Sequence, residues 1–255
     1  MHSFKSLVLA ALLVFTVGSV SAAELRLAVA ANFNGTMQQL IPIYEQQTGH
    51  KVLLSSGSSG AFYAQIQNGA PFDVFFSADS KRPELLAEQG LALADTLFIY
   101  AQGIPVLWST NPNLVDEQGA VLKQQAYRHL GIAHPKNAPY GLAAQEILTQ
   151  LGIWDKLEAD KKIIRAQNIG QAYSQTASGA VELGFVALSQ IMHPEVKGKG
   201  SYWIPPVNSY SPILQKAVVL ESATDKQLAK EFLAFIRSAE AGEIIKSVGY
   251  GLPTN

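Results

Sequence analysis

The 255-residue sequence contains no cysteine, which excludes disulfide bonds, thiolate metal sites and a cysteine nucleophile. Stability must therefore come from the burial of apolar side chains, and a hydrophobic fraction of 48% is typical of a globular chain. Charged residues are also few, at 15%, and the formal net charge is only −1. Because the sequence has no basic patch, nucleic acid is not expected as a partner.

Long apolar runs are equally scarce, and the one that stands out extends from Leu7 to Val20. It follows Lys5 and precedes three small residues, which is the order of a secretory signal peptide. A membrane-spanning helix needs roughly 20 apolar residues, so this run is too short for an anchor. We predict a signal peptide over residues 1–23, cleaved after Ala22 or Ala23. The exported chain then carries 18 basic and 20 acidic residues, a net charge of −2.

Motifs of nucleotide and metal chemistry are missing as well. The chain has no G-x-x-x-x-G-K-[ST] or G-x-G-x-x-G run, which argues against nucleotide cofactors. The histidines beyond the signal segment are scattered without metal-site spacing, so we predict neither a cation site nor a cofactor. They are His50, His129, His134 and His193.

The remaining chain alternates strand and helix patterns. The apolar run Leu25 to Ala30 is typical of a strand, and Met37, Leu40 and Tyr44 recur at helical spacing after it. Pro42 lies inside that helix and predicts a kink or a later start. Further strands are predicted at 52–56, 74–77, 132–134, 163–166, 184–188 and 214–220. Repeated βα units favour mainly parallel sheets flanked by helices.

The strand pattern at 97–109 is unusually long and contains Gly103 and Pro105, which favours a crossover between two lobes over one central strand. A second βα series follows it, and the C-terminal part is predicted to return to the first lobe. We therefore predict one lobe from residues 24–103 plus 213–255 and a second lobe from 104–212.

Three loops in this pattern connect a strand to a helix and carry uncharged donors: 30–33 (AANF), 56–60 (SGSSG) and 138–141 (APYG). Helix N-termini present unpaired backbone N–H groups, which bind anions readily. Asn32, Ser58, Ser59 and Tyr140 add side-chain donors, with no carboxylate nearby to repel an anion. The alternative for Ser58 and Ser59 is an ordinary helix cap in a turn.

Acidic residues in the same region have a structural interpretation. Asp73 and Asp79 flank the strand at 74–77, and Asp79 is predicted to cap a helix that begins at Ser80.

Several segments together resemble a known family over essentially the whole mature chain. They are VAANF at 29–33, SSGSSG at 55–60 with YAQI at 63–66, NGAP at 68–71 with FFSAD at 75–79, APYG at 138–141, GFVA at 184–187 and GYG at 249–251. In this order they resemble the periplasmic molybdate-binding proteins (ModA type). The resemblance implies an α/β fold of two lobes, a class II periplasmic binding protein, with the ligand in the interlobe cleft.

The resemblance also implies the ligand residues. Asn32 and Ser59 match the anion ligands of the first lobe, Tyr140 matches a ligand at the start of a second-lobe helix, and Ile169 matches a position that contributes its backbone N–H. Two departures stand out. Ala31 occupies a position where some members carry a hydroxyl, and Ala187 one where others place a tyrosine.

The implied function is capture of molybdate and tungstate in the periplasm by a monomeric binding protein without enzymatic activity. Such a protein delivers the oxyanion to the membrane permease of an ABC importer. One alternative is a receptor for another tetrahedral oxyanion such as sulfate. A remote alternative is a secreted serine hydrolase using Ser59, although the G-x-S-x-G motif is missing.

The predicted signal peptide has a direct test. The protein purified from the periplasm of an expressing bacterium should begin at Ala23 or Glu24, because cleavage follows the small residues. Intact-mass spectrometry and N-terminal sequencing measure this start. A periplasmic or membrane-bound product that retains Met1 would contradict cleavage.

Overall fold

The computed structural model describes residues 23–252, so the predicted signal peptide lies outside the described residues apart from Ala23. Within them, ten strands form two five-stranded sheets. The first sheet has the order β2-β1-β3-β10-β4 and the second the order β7-β6-β8-β5-β9. The strands are β1 (Glu24–Ala30), β2 (Lys51–Gly57), β3 (Val74–Phe76), β4 (Phe98–Gly103), β5 (Pro105–Ser109), β6 (Leu130–Ala133), β7 (Ile163–Ala166), β8 (Leu183–Ala187), β9 (Ser201–Trp203) and β10 (Ile213–Val219).

Helices cover both sheets. Those of the first lobe are α1 (Asn34–Thr48), α2 (Ser59–Gln67), α3 (Lys81–Glu88), α9 (Lys226–Ile236) and α10 (Ala239–Ser247). Those of the second lobe are α4 (Val121–Gln124), α5 (Pro139–Gln150), α6 (Trp154–Ala159), α7 (Ile169–Ala177) and α8 (Leu188–Ile191). A short 3-10 helix, Ala31–Phe33, lies between β1 and α1. In the part of the chain that the structure describes, no helix is both long and apolar enough to cross a membrane.

The two-lobed α/β fold is confirmed, but both sheets are mixed rather than mainly parallel. In the first sheet β1 pairs in parallel with β2 and β3, whereas β10 is antiparallel to β3 and β4. In the second sheet β6 pairs in parallel with β7 and β8, whereas β5 is antiparallel to β8 and β9. The antiparallel strands are those next to the crossings between the lobes, which the βα periodicity alone does not reveal.

The predicted long strand at 97–109 is two strands in different sheets. β4 ends at Gly103 and β5 begins at Pro105, so the chain changes lobe at Ile104. A side chain at Gly103 would not fit, since its Cβ would lie 2.3 Å from the Tyr140 hydroxyl and 2.6 Å from Gln215 Nε2. The chain returns to the first sheet with β10.

Each lobe has an apolar core of its own. In the first, Phe76 packs edge-to-face against Phe232 with ring centroids 6.1 Å apart, and Phe33 lies 4.6 Å from the Tyr100 ring. The core of the second lobe is mainly aliphatic and includes Ile147, Leu157 and Phe185. The two cores form separate clusters, as expected for lobes that can move as rigid bodies.

Local predictions have mixed outcomes. Helix α1 runs through Pro42 from Asn34, so the later start is wrong. Helix α3 begins at Lys81 rather than Ser80, and Asp79 still caps its first turn by accepting from Arg82 N at 2.8 Å. His134 lies in a turn, where its Nδ1 accepts from Lys136 N at 3.3 Å.

The close packing at the first crossing predicts the effect of a Gly103→Ala variant. Its added methyl must displace the Tyr140 hydroxyl and Gln215, so we expect destabilisation by about 1–3 kcal/mol. Chemical denaturation measures this change. The matched control is Gly35→Ala, whose Cβ would meet only His193 Cδ2 at an ordinary 3.6 Å inside helix α1, and which should leave stability unchanged or slightly higher. Equal stability of the two variants would contradict the packing argument.

Candidate anion-binding site

A small cavity lies between the lobes, at the ends of strands where four helices begin. Its volume is about 10 Å³, roughly the room that one water molecule needs. Pockets that hold drug-sized ligands measure roughly 300–1,000 Å³, so the closed lobes leave no room for such a ligand. The lining residues are Ala30, Ala31, Asn32, Gly57, Ser58, Ser59, Ala78, Ala138, Pro139, Tyr140, Asn168 and Ile169. No charged side chain is among them.

Helix α2 brings Ser58 and Ser59 to the cavity. Ser58 is the N-cap and its hydroxyl accepts from Ala61 N at 3.2 Å, so the alternative of an ordinary cap is correct for this residue. Ser59 is the first helical residue, and its Oγ accepts from Ala78 N at 2.9 Å. That bond fixes the oxygen and leaves the hydroxyl proton of Ser59 available as a donor.

Helices α5 and α7 face the cavity from the second lobe. Pro139 occupies the first turn of α5 and positions Tyr140 as the second residue, whose backbone N–H has no acceptor inside the helix. Asn168 caps α7 by accepting from Gln171 N at 2.9 Å. Ile169 is therefore the first residue of α7, with its N–H beside the cavity.

Asn32 borders the cavity from the short 3-10 helix after β1, but its side chain is engaged elsewhere. Nδ2 donates to Gln215 Oε1 at 2.7 Å and to the Tyr250 hydroxyl at 2.9 Å. Its Oδ1 is buried and has no hydrogen-bond partner. A buried amide oxygen without a donor costs about 1–3 kcal/mol, so its position calls for a ligand or a rearrangement.

A buried polar network extends from Asn32 beneath the cavity. Gln215 Oε1 also accepts from the Tyr100 hydroxyl at 2.9 Å, and Gln215 Nε2 donates to the Tyr140 hydroxyl at 3.2 Å. The Tyr140 hydroxyl therefore lies at the first crossing between the lobes and not free in the cavity. The network joins β4, β10, α5 and the 3-10 helix after β1, which are distant in sequence.

Burial sets the charge state of this network. Burial raises the pKa of the Tyr100 and Tyr140 phenols well above their usual range, and the pKa of Tyr250 is raised for the same reason. All three are neutral donors and acceptors at physiological pH.

The lobes are closed over the cavity. Gly60 N donates to Asn137 O at 3.0 Å and Arg82 Nη2 donates to Lys136 O at 3.0 Å on one side. At the other side a Cβ on Gly170 would come within 3.2 Å of the Ala31 methyl. A side chain at position 170 would therefore fit only if its neighbours shifted slightly.

The structure gathers all four predicted ligand positions, Asn32, Ser59, Tyr140 and Ile169, around one cavity. The two departures also lie near it: Ala31 lines the cavity, and Ala187 is buried at the end of β8. Sequence reasoning missed Gln215 and Ser189, because both sit in ordinary strand and helix patterns and reach the site only through the tertiary fold. Tyr250 lies in the segment GYG at 249–251, whose resemblance to the family was the sequence signal for this residue.

Two α/β lobes joined by two crossings, with a cavity between them, form the architecture of a solute-binding protein. The family model of the bacterial extracellular solute-binding proteins matches residues 25–251. The chain belongs to this class.

Relatives of higher identity show which family within this class the chain belongs to. The molybdate-binding protein ModA of Azotobacter vinelandii is 46% identical over 92% of both chains, and that of Rhodobacter capsulatus is 44% identical over 90% of this chain and 89% of the relative. A solved structure of the Azotobacter vinelandii periplasmic molybdate-binding protein matches with a TM-score of 0.88 and 52% identity, over 90% of this chain and all of that one. The chain is therefore a member of the ModA-type molybdate-binding protein family.

The buried phenols predict an incomplete alkaline titration. Their raised pKa values make the folded state hold its protons longer than the unfolded state, so this contribution to stability is present below about pH 10 and is lost as the pH rises further. In the native protein, phenolate absorbance should remain below the value for all nine tyrosines at about pH 11. In denaturant, all nine tyrosines should ionise near the usual phenol pKa of about 10. A native titration that is complete near pH 10 would contradict the buried network.

Proposed function

We propose that the protein captures molybdate and tungstate in the interlobe cavity and delivers them to the membrane permease of an ABC importer. The main support for this proposal is the cavity itself. Four helices begin at it, one of them the short 3-10 helix, and no charged side chain lines it. The names of the relatives at 46% and 44% identity support molybdate as the ligand. The family description supports a location outside the cytoplasm, and we infer a periplasmic, monomeric protein.

The chemistry of the cavity fits a fully deprotonated oxyanion. Molybdate and tungstate are dianions without a proton to donate at neutral pH, so a pocket that offers only donors can satisfy their oxygens. Phosphate, usually protonated near neutral pH, would leave its own donor unpaired. Helix N-termini add partial positive charge without a buried cation.

Asn32 completes the donor set by turning its amide. A half-turn places Nδ2 at the position now occupied by the unpartnered Oδ1. If Gln215 turns with it, Gln215 Nε2 meets Asn32 Oδ1 and Gln215 Oε1 accepts the Tyr140 hydroxyl proton. The Tyr250 hydroxyl, 2.9 Å from the present Nδ2 position, then donates to Asn32 Oδ1, and Asn32 Nδ2 donates to the anion.

The size of the anion distinguishes molybdate from sulfate, which is also a dianion without a proton to donate. The closed lobes fix the donors in place, and a smaller anion cannot reach all of them at once. A solved sulfate-binding protein from Mycobacterium tuberculosis resembles this chain with a TM-score of 0.73 at 17% identity, which shows a shared fold alone.

Binding and closure form one event in this proposal. The anion bridges Asn32 and Ser59 of the first lobe to the backbone N–H groups of Tyr140 and Ile169 of the second. The closed shape is then the signal that the permease reads.

A binding role for Ser59 is favoured over a nucleophilic one. A serine nucleophile needs a base within hydrogen-bond reach, and the partner of Ser59 Oγ is the Ala78 N–H, a donor. We therefore propose that the protein acts as a binding protein and not as an enzyme.

The role of Ser59 is tested by calorimetric titration of the mature protein with molybdate, tungstate and sulfate. We expect one-to-one binding of the two heavier anions and much weaker binding of sulfate. Ser59→Ala removes a donor to a charged acceptor, so its affinity for molybdate should fall roughly tenfold to hundredfold, about 1.5–3 kcal/mol.

The matched control is Ser80→Ala, which removes a first-lobe hydroxyl that donates to Leu214 O at 3.0 Å and does not line the cavity. Its affinity should equal that of the wild type. Sulfate binding as tight as molybdate binding would replace the proposed ligand with another oxyanion, and unchanged affinity in Ser59→Ala would remove Ser59 from the site.

A further inference from the structure

Two hydroxyls that are not among the proposed ligand groups connect the lobes. Ser189 lies on α8 of the second lobe and is buried. Its Oγ is 2.9 Å from the Tyr250 hydroxyl and 3.2 Å from Asn32 O, both on the first lobe. Ser189 thus bonds across the interface at the back of the cavity.

The Tyr250 hydroxyl uses its full hydrogen-bonding capacity. It accepts from Ser189 Oγ and from Asn32 Nδ2, each at 2.9 Å, and it donates to Asn32 O at 2.8 Å. A phenol has one proton, which is given to Asn32 O here and to Asn32 Oδ1 once the amide turns, so no donor is left for an oxyanion. Tyr250 therefore positions Asn32 and does not bind a ligand in the cavity.

The C-terminal segment is built to place this phenol. Gly251 forms a two-way backbone pair with Gln102, with N···O distances of 2.7 and 3.0 Å. Gly249 has a φ of 89°, and a Cβ there would lie 3.0 Å from the Leu188 side chain of α8. Phe33 packs against the Tyr250 ring at 5.4 Å. The phenol is held on the first lobe, at the point where α8 of the second lobe approaches.

We propose that Ser189 and Tyr250 form an interlobe latch, a pair of positioning residues that stabilises the closed form and holds Asn32 in place while the oxyanion is bound. The proposal rests on the function proposed above. Separation of the lobes breaks the Ser189 bond to Tyr250, whereas Tyr250 and Asn32 lie on one lobe and stay in hydrogen-bond contact in either orientation of the Asn32 amide. The latch therefore contributes to the closed state and governs how fast the anion leaves.

The latch is made of neutral groups, and this distinguishes it from a charged interlobe contact. Screening by salt weakens exposed ion pairs but acts little on a buried bond between two hydroxyls. Its contribution to anion retention should therefore be the same at low and at high ionic strength.

The experiment uses sodium molybdate with the mature wild-type protein and the variants Ser189→Ala and Tyr250→Phe. Affinity comes from calorimetry, and the dissociation rate from a chase of radiolabelled molybdate with unlabelled molybdate. We expect Ser189→Ala to raise the dissociation constant about tenfold, nearly all of it in the dissociation rate, because the bond forms on closure. The ratio to wild type should not change with added sodium chloride.

Matched controls separate the latch from a general loss of stability. Ser109→Ala removes a buried second-lobe hydroxyl that donates to Glu182 O at 2.6 Å within the same lobe, and Tyr127→Phe removes a buried phenol oxygen without a partner. Both should leave molybdate affinity and dissociation unchanged, even if Ser109→Ala lowers the melting temperature. Equal effects of Ser109→Ala and Ser189→Ala on dissociation would overturn the latch.

The double variant tests whether the two residues act together. If they form one latch, Ser189→Ala should have a smaller effect in the Tyr250→Phe background than in wild type. Effects that multiply independently would overturn the pairing.

Failure of the proposed function has a different signature. If the wild type binds no molybdate, that function is wrong, and the latch is judged by small-angle scattering of the ligand-free proteins. Ser189→Ala should then have the larger radius of gyration, and identical profiles would overturn the latch.

Discussion

The requirement that shapes this protein is the removal of an anion from water without a buried cation. An ionised group transferred into a protein interior loses strong hydration, and that loss must be replaced by hydrogen bonds to fixed donors. Backbone N–H groups at helix N-termini meet this need, because they are unpaired and already oriented. The strand-to-helix loops at Asn32, Ser59, Tyr140 and Ile169 line one cavity between the lobes, and we propose that they serve this purpose.

A cavity of uncharged donors places a second demand on the residues beneath it. Donors keep their direction only if their own positions are fixed, and here Gln215, Tyr100 and Tyr250 fix Asn32 through buried hydrogen bonds. The phenols stay neutral because burial opposes their ionisation, so the support adds no charge that would oppose the anion. The same network reaches the first crossing through Tyr140, where Gly103 leaves room for its hydroxyl.

The sequence contained much of this arrangement in local form. The βα units and the split near Pro105 follow from periodicity and from glycine and proline positions. The antiparallel strands and the partnership of Ser189, Gln215 and Tyr250 do not, because they join residues 61 to 218 positions apart. Local patterns cannot specify which distant strand a side chain will meet, and a polar residue on a strand or helix has the same appearance whether it faces solvent or a buried network.

The position of β10 has a consequence for the time at which the protein can fold. This strand is inserted between β3 and β4, so β4 cannot join the first sheet until residues 213–219 are available. More than four-fifths of the chain must therefore be synthesised before the lobe that begins at residue 24 can complete its sheet. A chain with this topology keeps its first lobe incomplete during most of its synthesis, whereas every strand of the second sheet precedes β10.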